Sequence, residues 1–173
     1  MSVTLLKLAE EGTDSARAAL FGELCRLVTD DLDQRTTPEL TIFAEVTLKL
    51  YSDATADDRV RLAQKLSNCP DVPDALAKKI AEDDAPIASP LLASSPVFSQ
   101  EDLLQFIQEL SNAHLQAIAH RPDLSSEVSD ALAQKGDTPI HRILAGNREI
   151  RLSRDAMVCL VRLAAEDTKV RDS

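Results

Sequence analysis

AIAHRPDLSSEVSDALAQKGD, residues 117–137, has a proline between two apolar-periodic segments, and its landmark positions return along the chain. Pro122 lies 26 residues after Pro96, and Pro96 lies 26 after Pro70. Ahead of the proline, Ile118 answers to Leu66, Leu92 and Leu144, which are followed by Ser67, Ala93, Ala119 (after Ile118) and Ala145. Behind it, Leu124 answers to Val72, Phe98 and, after a two-residue insertion, Leu152. Ser125 then matches Pro73, Ser99 and Ser153, and Leu132 matches Ile80, Phe106 and Leu160. Self-similarity at a fixed period over residues 59–163 predicts stacked helical units, each burying its apolar face only against its neighbours.

Each unit reads as a helix A, a sharp turn and a helix B. Helix A is expected over residues 57–66, 84–93, 112–119 and 138–145, with Asp84, Ser111 and Asp137 as N-caps and Pro86 and Pro139 just inside the helix. The turn after helix A holds the repeated proline, which cannot continue the hydrogen-bond ladder. In the fourth unit Gly146-Asn147 takes its place, a pair suited to a left-handed helix stop. Helix B starts at Pro73, Ser99, Ser125 and Ser153. Acids at Glu101, Glu127 and Asp155 lie in the first turn, where the helix dipole favours them. The apolar residue before each start (Val72, Phe98, Leu124, Leu152) is placed to pack back on its own helix. These columns specify helix starts and need no function.

Upstream, Leu5, Leu6 and Ala9 suggest a short helix over residues 3–10, closed by Gly12. A second helix, capped by Thr13 or Asp14, is expected to run to about Leu32 with Ala16, Leu20, Leu24, Leu27 and Val28 on its buried face. A third, capped by Thr36 or Thr37 with Pro38 and Glu39 in its first turn, buries Leu40, Phe43, Ala44, Thr47, Leu48 and Tyr51. These helices lack the proline pattern and are expected to cap the end of the stack. No segment alternates with period two and the β-branched residues do not cluster, which excludes a sheet.

The motifs RLAQKLSNCPDVPDALAKKIAEDD (61–84), IASPLL (87–92), SSPVFSQEDLL (94–104), the opening 21-residue stretch and LSRDAMVCL (152–160) carry a resemblance. The chain is similar to an uncharacterised, mainly alphaproteobacterial family of HEAT-like helical-repeat domains, with units that also resemble leucine-rich-variant repeats. The resemblance covers roughly residues 13–165 and implies an α-solenoid, often the N-terminal part of a longer chain, with no activity attached. Gly146-Asn147-Arg148 departs from the pattern, and the unit is shorter than a standard HEAT repeat. The expected fold is therefore all-α: an α-solenoid of about four helix-turn-helix, HEAT-like units of ~26 residues with an N-terminal helical cap. Residues 1–54 form the cap and 55–165 the repeats, in one continuous domain. Residues 166–173 are a charged tail, frayed or the point where a longer chain was cut.

Composition narrows the function. A net charge of −10 disfavours nucleic-acid binding, which asks for a basic stripe over the phosphates. Cys25, Cys69 and Cys159 are scattered, form no metal spacing and read as reduced thiols of a cytoplasmic protein. The start MSVTLLKLAEEG lacks the basic end and apolar core of a signal peptide, and no apolar run is long enough to span a membrane. His114, His120 and His141 do not form HExxH. His114 falls in a packing column, and His120, at the end of a helix A, is placed to donate to terminal carbonyls. There is no GxSxG, and four glycines write neither GxGxxG nor a P-loop. No catalytic residue, metal or cofactor is expected, and the chain is not expected to be an enzyme.

Two rows remain as candidate partner-binding surfaces. The helix B columns stack Asp74, Gln100, Ser126 and Arg154, then Glu82, Gln108, Gln134 and Arg162. Polar groups at equivalent heights suit an extended peptide or a partner helix. The A-to-B turns gather His120, Arg121, Arg148 and Arg151, basic groups in an acidic chain, which suit an acidic or phosphate-bearing segment. The leading expectation is a protein-binding scaffold or adaptor using the helix B row, with no nucleic acid and no membrane. The alternatives are a nucleic-acid-processing or other repeat enzyme, and a structural homodimer through the N-terminal helices. The homodimer predicts an unburied apolar stripe on the second and third helices.

Overall fold

The computed structural model describes residues 10–166 and is all-helical, with no strand among the described residues. Ten α-helices lie wholly within that range: α1 Asp14–Thr29, α2 Thr37–Leu50, α3 Ala56–Leu66, α4 Asp74–Ala81, α5 Ala85–Ser94, α6 Gln100–Glu109, α7 Asn112–Ala119, α8 Ser126–Lys135, α9 Thr138–Gly146 and α10 Arg154–Glu166. Short 3-10 turns, Leu32–Gln34 and Tyr51–Asp53, follow α1 and α2. The tail beyond Glu166 and most of the helix expected over residues 3–10 lie outside the described residues. The chain divides into two compact units: residues up to Leu91 with Ser95–Val97, and Leu92–Ser94 with everything from Phe98 on.

In the first unit α1 packs on α2 and α3, and α2 packs on α4. Each helix starts where local chemistry dictates. Gly12 takes the left-handed conformation at φ 63°, which an L side chain resists, and so ends the preceding turn before Thr13 caps α1 by accepting from the Ala16 N–H. Thr36 and Glu39 form a capping box at α2, with Glu39 accepting from the Thr36 N–H at 2.8 Å. The α2 stripe is buried much as expected, at Leu40, Phe43, Ala44, Thr47 and Tyr51, with Leu50 added and Leu48 only half-buried.

Helix α1 is rotated from expectation. Its buried residues are Ala16, Phe21, Cys25 and Thr29, whereas Leu20, Leu24 and Val28 are half-buried and Leu27 is 43% exposed. Phe21 decides this: its ring meets that of Tyr51 edge-on at 6.1 Å, burying more apolar area than a leucine at the same level would. Tyr51 in turn donates to Asp83 at 2.7 Å, and Arg59 binds both oxygens of that carboxylate, which ties α2, α3 and the end of α4 together. Burial works against the Asp83 charge. The Tyr51 hydroxyl, the Asp84 N–H and Arg59 outweigh it and hold the carboxyl below its usual range.

In the second unit every helix packs on its sequence neighbour and on the helix after next: α6 on α8, α8 on α10, and α7 on α9. The core comes from Leu103, Phe106 and Ile107, from Leu115 and Ile118, from Val128 and Leu132, from Ile140 and Leu144, and from Ala156 and Leu160. Ser99, Ser125 and Ser153 cap α6, α8 and α10 as expected, accepting from Asp102, Val128 and Ala156 N–H groups. Phe98 packs back on its own helix, edge-on to Phe106 at 5.1 Å.

Candidate docking surface

Within the second unit, polar side chains join residues about one 26-residue sequence period apart. Gln100 donates to the Asp123 carbonyl and accepts from the Ser125 N–H. Asn112 donates to the Asp137 carboxylate. Lys135 places its ammonium on the Ile107 and Gln108 carbonyls in the last turn of α6, where a cation complements the helix dipole. Asn147 donates to the Ala119 and Arg121 carbonyls, and Arg121 reaches the Leu92 carbonyl at 3.2 Å. Helix ends leave carbonyls without intrahelical partners, and these side chains supply the donors.

This redefines the basic row of the turns. Arg121 is 2% exposed, and its Nε and Nη2 each donate at 2.8 Å to Asp123, whose carboxyl is held below its usual range by that guanidinium. Arg121 thus serves the fold, and the row presents His120, Arg148 and Arg151 to solvent. The His120 ring makes no hydrogen bond among the described residues; the donor to the terminal carbonyls of α7 is Asn147 instead. Gly146-Asn147 is not a left-handed stop, since Gly12 is the one positive-φ residue described. α9 ends with Asn147 extended (φ −82°, ψ 102°), its backbone N–H donating to the Leu144 carbonyl, while its side-chain amide reaches the end of α7. His114 is buried with Nδ1 2.8 Å from the Ser111 hydroxyl, and His141 is buried with Nε2 2.9 Å from the Ala133 carbonyl.

Along the helix B row, Gln108 on α6, Ser126 and Gln134 on α8, and Arg154 and Arg162 on α10 are exposed on helices that pack in one succession. Gln100 is half-buried and its amide is committed to the neighbouring unit, so it is less available than its column suggests. Asp74 and Glu82, on and just after α4 in the first unit, are exposed, and Asp74 pairs with Lys78 at 3.2 Å. The row combines amides, a hydroxyl and two guanidinium groups, which supply donors and acceptors without a strong field of either sign.

The first unit holds a groove of about 410 Å³ between α1 and α3, which sequence reasoning missed because Cys25 was read only as one of three scattered reduced thiols. Cys25 and Leu62 line its floor, and Arg26, Arg61 and Lys65 line it beside Asp30 and Asp58. Burial, with Asp58 nearby, pushes the Cys25 thiol up to about 12, so it stays protonated and unreactive at neutral pH. Two of the cations are already paired, Arg26 with Glu23 and Arg61 with Asp58. Among the described residues no three His, Cys, Asp or Glu side chains gather closely enough to hold a metal. No described helix is long and apolar enough to cross a membrane.

Residues 87–173 match the model of a family described as uncharacterised proteins conserved in bacteria, DUF2336. No curated protein matches the chain, and no solved structure does.

Proposed function

The chain belongs to the DUF2336 family of uncharacterised bacterial proteins, and from that premise we propose that it is a non-catalytic scaffold that docks another protein on its helix B row. The observation that carries this reading is the succession α6, α8, α10. These helices pack in succession, bury Ile107, Leu132 and Leu160, and keep Gln108, Gln134 and Arg162 exposed. Packing of each helix on the helix after next supports reading the second unit as an α-solenoid of short HEAT-like units. Packed helices lie about 8–10 Å apart, so side chains at equivalent heights form a ladder suited to an extended peptide or a partner helix. Shape and polar contacts then give specificity, in a cytoplasmic adaptor role. The net charge of −10 speaks against a nucleic-acid-processing enzyme on the same scaffold.

Affinity capture from lysate of the source cell tests the reading, with Gln108→Lys/Gln134→Glu beside the wild type and captured proteins identified by mass spectrometry. Both positions are exposed, so the variant should keep the wild-type helix content and melting temperature. A protein held by the wild type and lost from this variant supports docking on the row. The same protein held equally by both overturns it.

A further inference from the structure

Exposed large apolar residues concentrate on two helices that have no stacking neighbour on their outer side among the described residues. Helix α10 buries Ala156 and Leu160 against α8 and α9 but leaves Met157, Val158 and Val161 at 49%, 51% and 70% exposure, around an open groove of about 350 Å³. In the first unit, α2 packs on α1 and α4 while Ile42 and Val46, one turn apart, stay 62% and 37% exposed; Leu27 of α1 is exposed as well. The α2 face is the unburied surface that a self-associating chain requires. Neither face is explained by the helix B row alone.

Charge decides how such faces pair. On α10, Arg154 and Arg162 stand four residues before and after Val158, and Arg148 and Arg151 precede the helix, against Glu149 and Asp155. On α2, Glu39 and Glu45 stand three residues before and after Ile42, and Asp30 and Asp31 lie just upstream, against Lys49 and against Arg26 and Arg35, which pair with Asp30 and Glu39. Two α10 faces set together would oppose arginines to arginines, and two α2 faces acids to acids. An α10 face on an α2 face pairs opposite charges around an apolar centre.

We propose that the chain associates with a second copy head to tail, the α10 face of one molecule docking on the α2 face of the next. Such a contact is heterologous. It leaves one face of each kind open, so association continues beyond a dimer unless a ring closes. With three large apolar side chains exposed on one face and two on the other, the contact is weak and concentration-dependent. The apolar residues supply affinity and the flanking charges select the orientation. The proposal does not depend on docking along the B row: it concerns chain mass rather than partner capture.

Two blocked variants test it by sedimentation equilibrium. Ile42→Asp/Val46→Asp closes the α2 face, and Val158→Asp/Val161→Asp closes the α10 face. All four positions are exposed, and circular dichroism checks that both variants stay folded. The wild type should rise above the 18.9 kDa monomer, with an average mass that passes twice that value as concentration increases. Each variant alone should stay monomeric, and an equal mixture should form a one-to-one pair, because each supplies the face the other lacks. Three results overturn the proposal. They are a monomeric wild type at every concentration, a dimer of the α10-blocked variant alone (α2 meeting α2), or a dimer of the α2-blocked variant alone (α10 meeting α10).

Discussion

Replacing Arg121 by methionine separates the two roles that a turn arginine can play. Methionine keeps the length and apolar stem of the side chain, so packing changes little. What is lost is the guanidinium. The buried Leu92 carbonyl loses a donor at 3.2 Å, and an unpaired buried carbonyl costs about 1–3 kcal/mol. The bidentate contact to Asp123 is also lost, but that carboxylate's side chain is 54% exposed, which caps the pair at about 1 kcal/mol. Relief from burying a charge offsets part of both. The net expectation is a loss of about 2 kcal/mol, which for a chain of this size lowers the melting temperature by about 4–8 °C. Arg148→Met, at an exposed position of the same row, should stay within about 0.5 kcal/mol of wild type. Thermal melts followed by circular dichroism and calorimetry measure both. An Arg121→Met variant that melts within a degree of wild type, or higher, refutes the assignment of Arg121 to the fold.

Other expectations follow from single contacts. Asp83 is held below its ordinary value in the folded chain, so its contribution is complete above the unfolded value of 3.8 and lost as pH falls through the lower folded one; acid titration of wild type against Asp83→Asn should show the variant losing less stability below about pH 4. At Gly136 an added Cβ would sit 2.6 Å from the Leu132 carbonyl and from Ile140, so Gly136→Ala should cost about 1–3 kcal/mol in denaturant unfolding. Gly146 has open space and a negative φ, and Gly146→Ala in the same assay should be neutral or stabilising by up to about 1 kcal/mol. The Thr47 hydroxyl is buried without a hydrogen-bond partner among the described residues, and the nearly isosteric Thr47→Val should raise the melting temperature, with a gain of about 1 kcal/mol.

The helix starts were legible because capping is local. Ser99, Ser125 and Ser153 stand in one repeat column, and each accepts the hydrogen bond its residue type implies. The face of α1 was not legible, because periodicity could not weigh a Phe21–Tyr51 ring contact between helices against a stripe of leucines. Arg121 and Asn147 were misread for the same reason. Both share a column with Ser95, whose small side chain hides that the column adjoins the end of helix A, where carbonyls one repeat away need donors. Of the helix B row, Gln100 shows the limit of column reasoning. Equivalence in sequence does not say whether the amide turns outward or, as here, onto Asp123 and Ser125.

Site-specific photo-cross-linking tests the central claim most directly. A photoreactive side chain at Gln108 or Gln134 would be compared with one at Ser15 or Arg61, exposed positions of the first unit, in the presence of the protein captured by the wild type. The account predicts cross-links to that protein from Gln108 and Gln134 and none from Ser15 or Arg61. Cross-links confined to Ser15 or Arg61 would contradict it and move the docking surface off the helix B row.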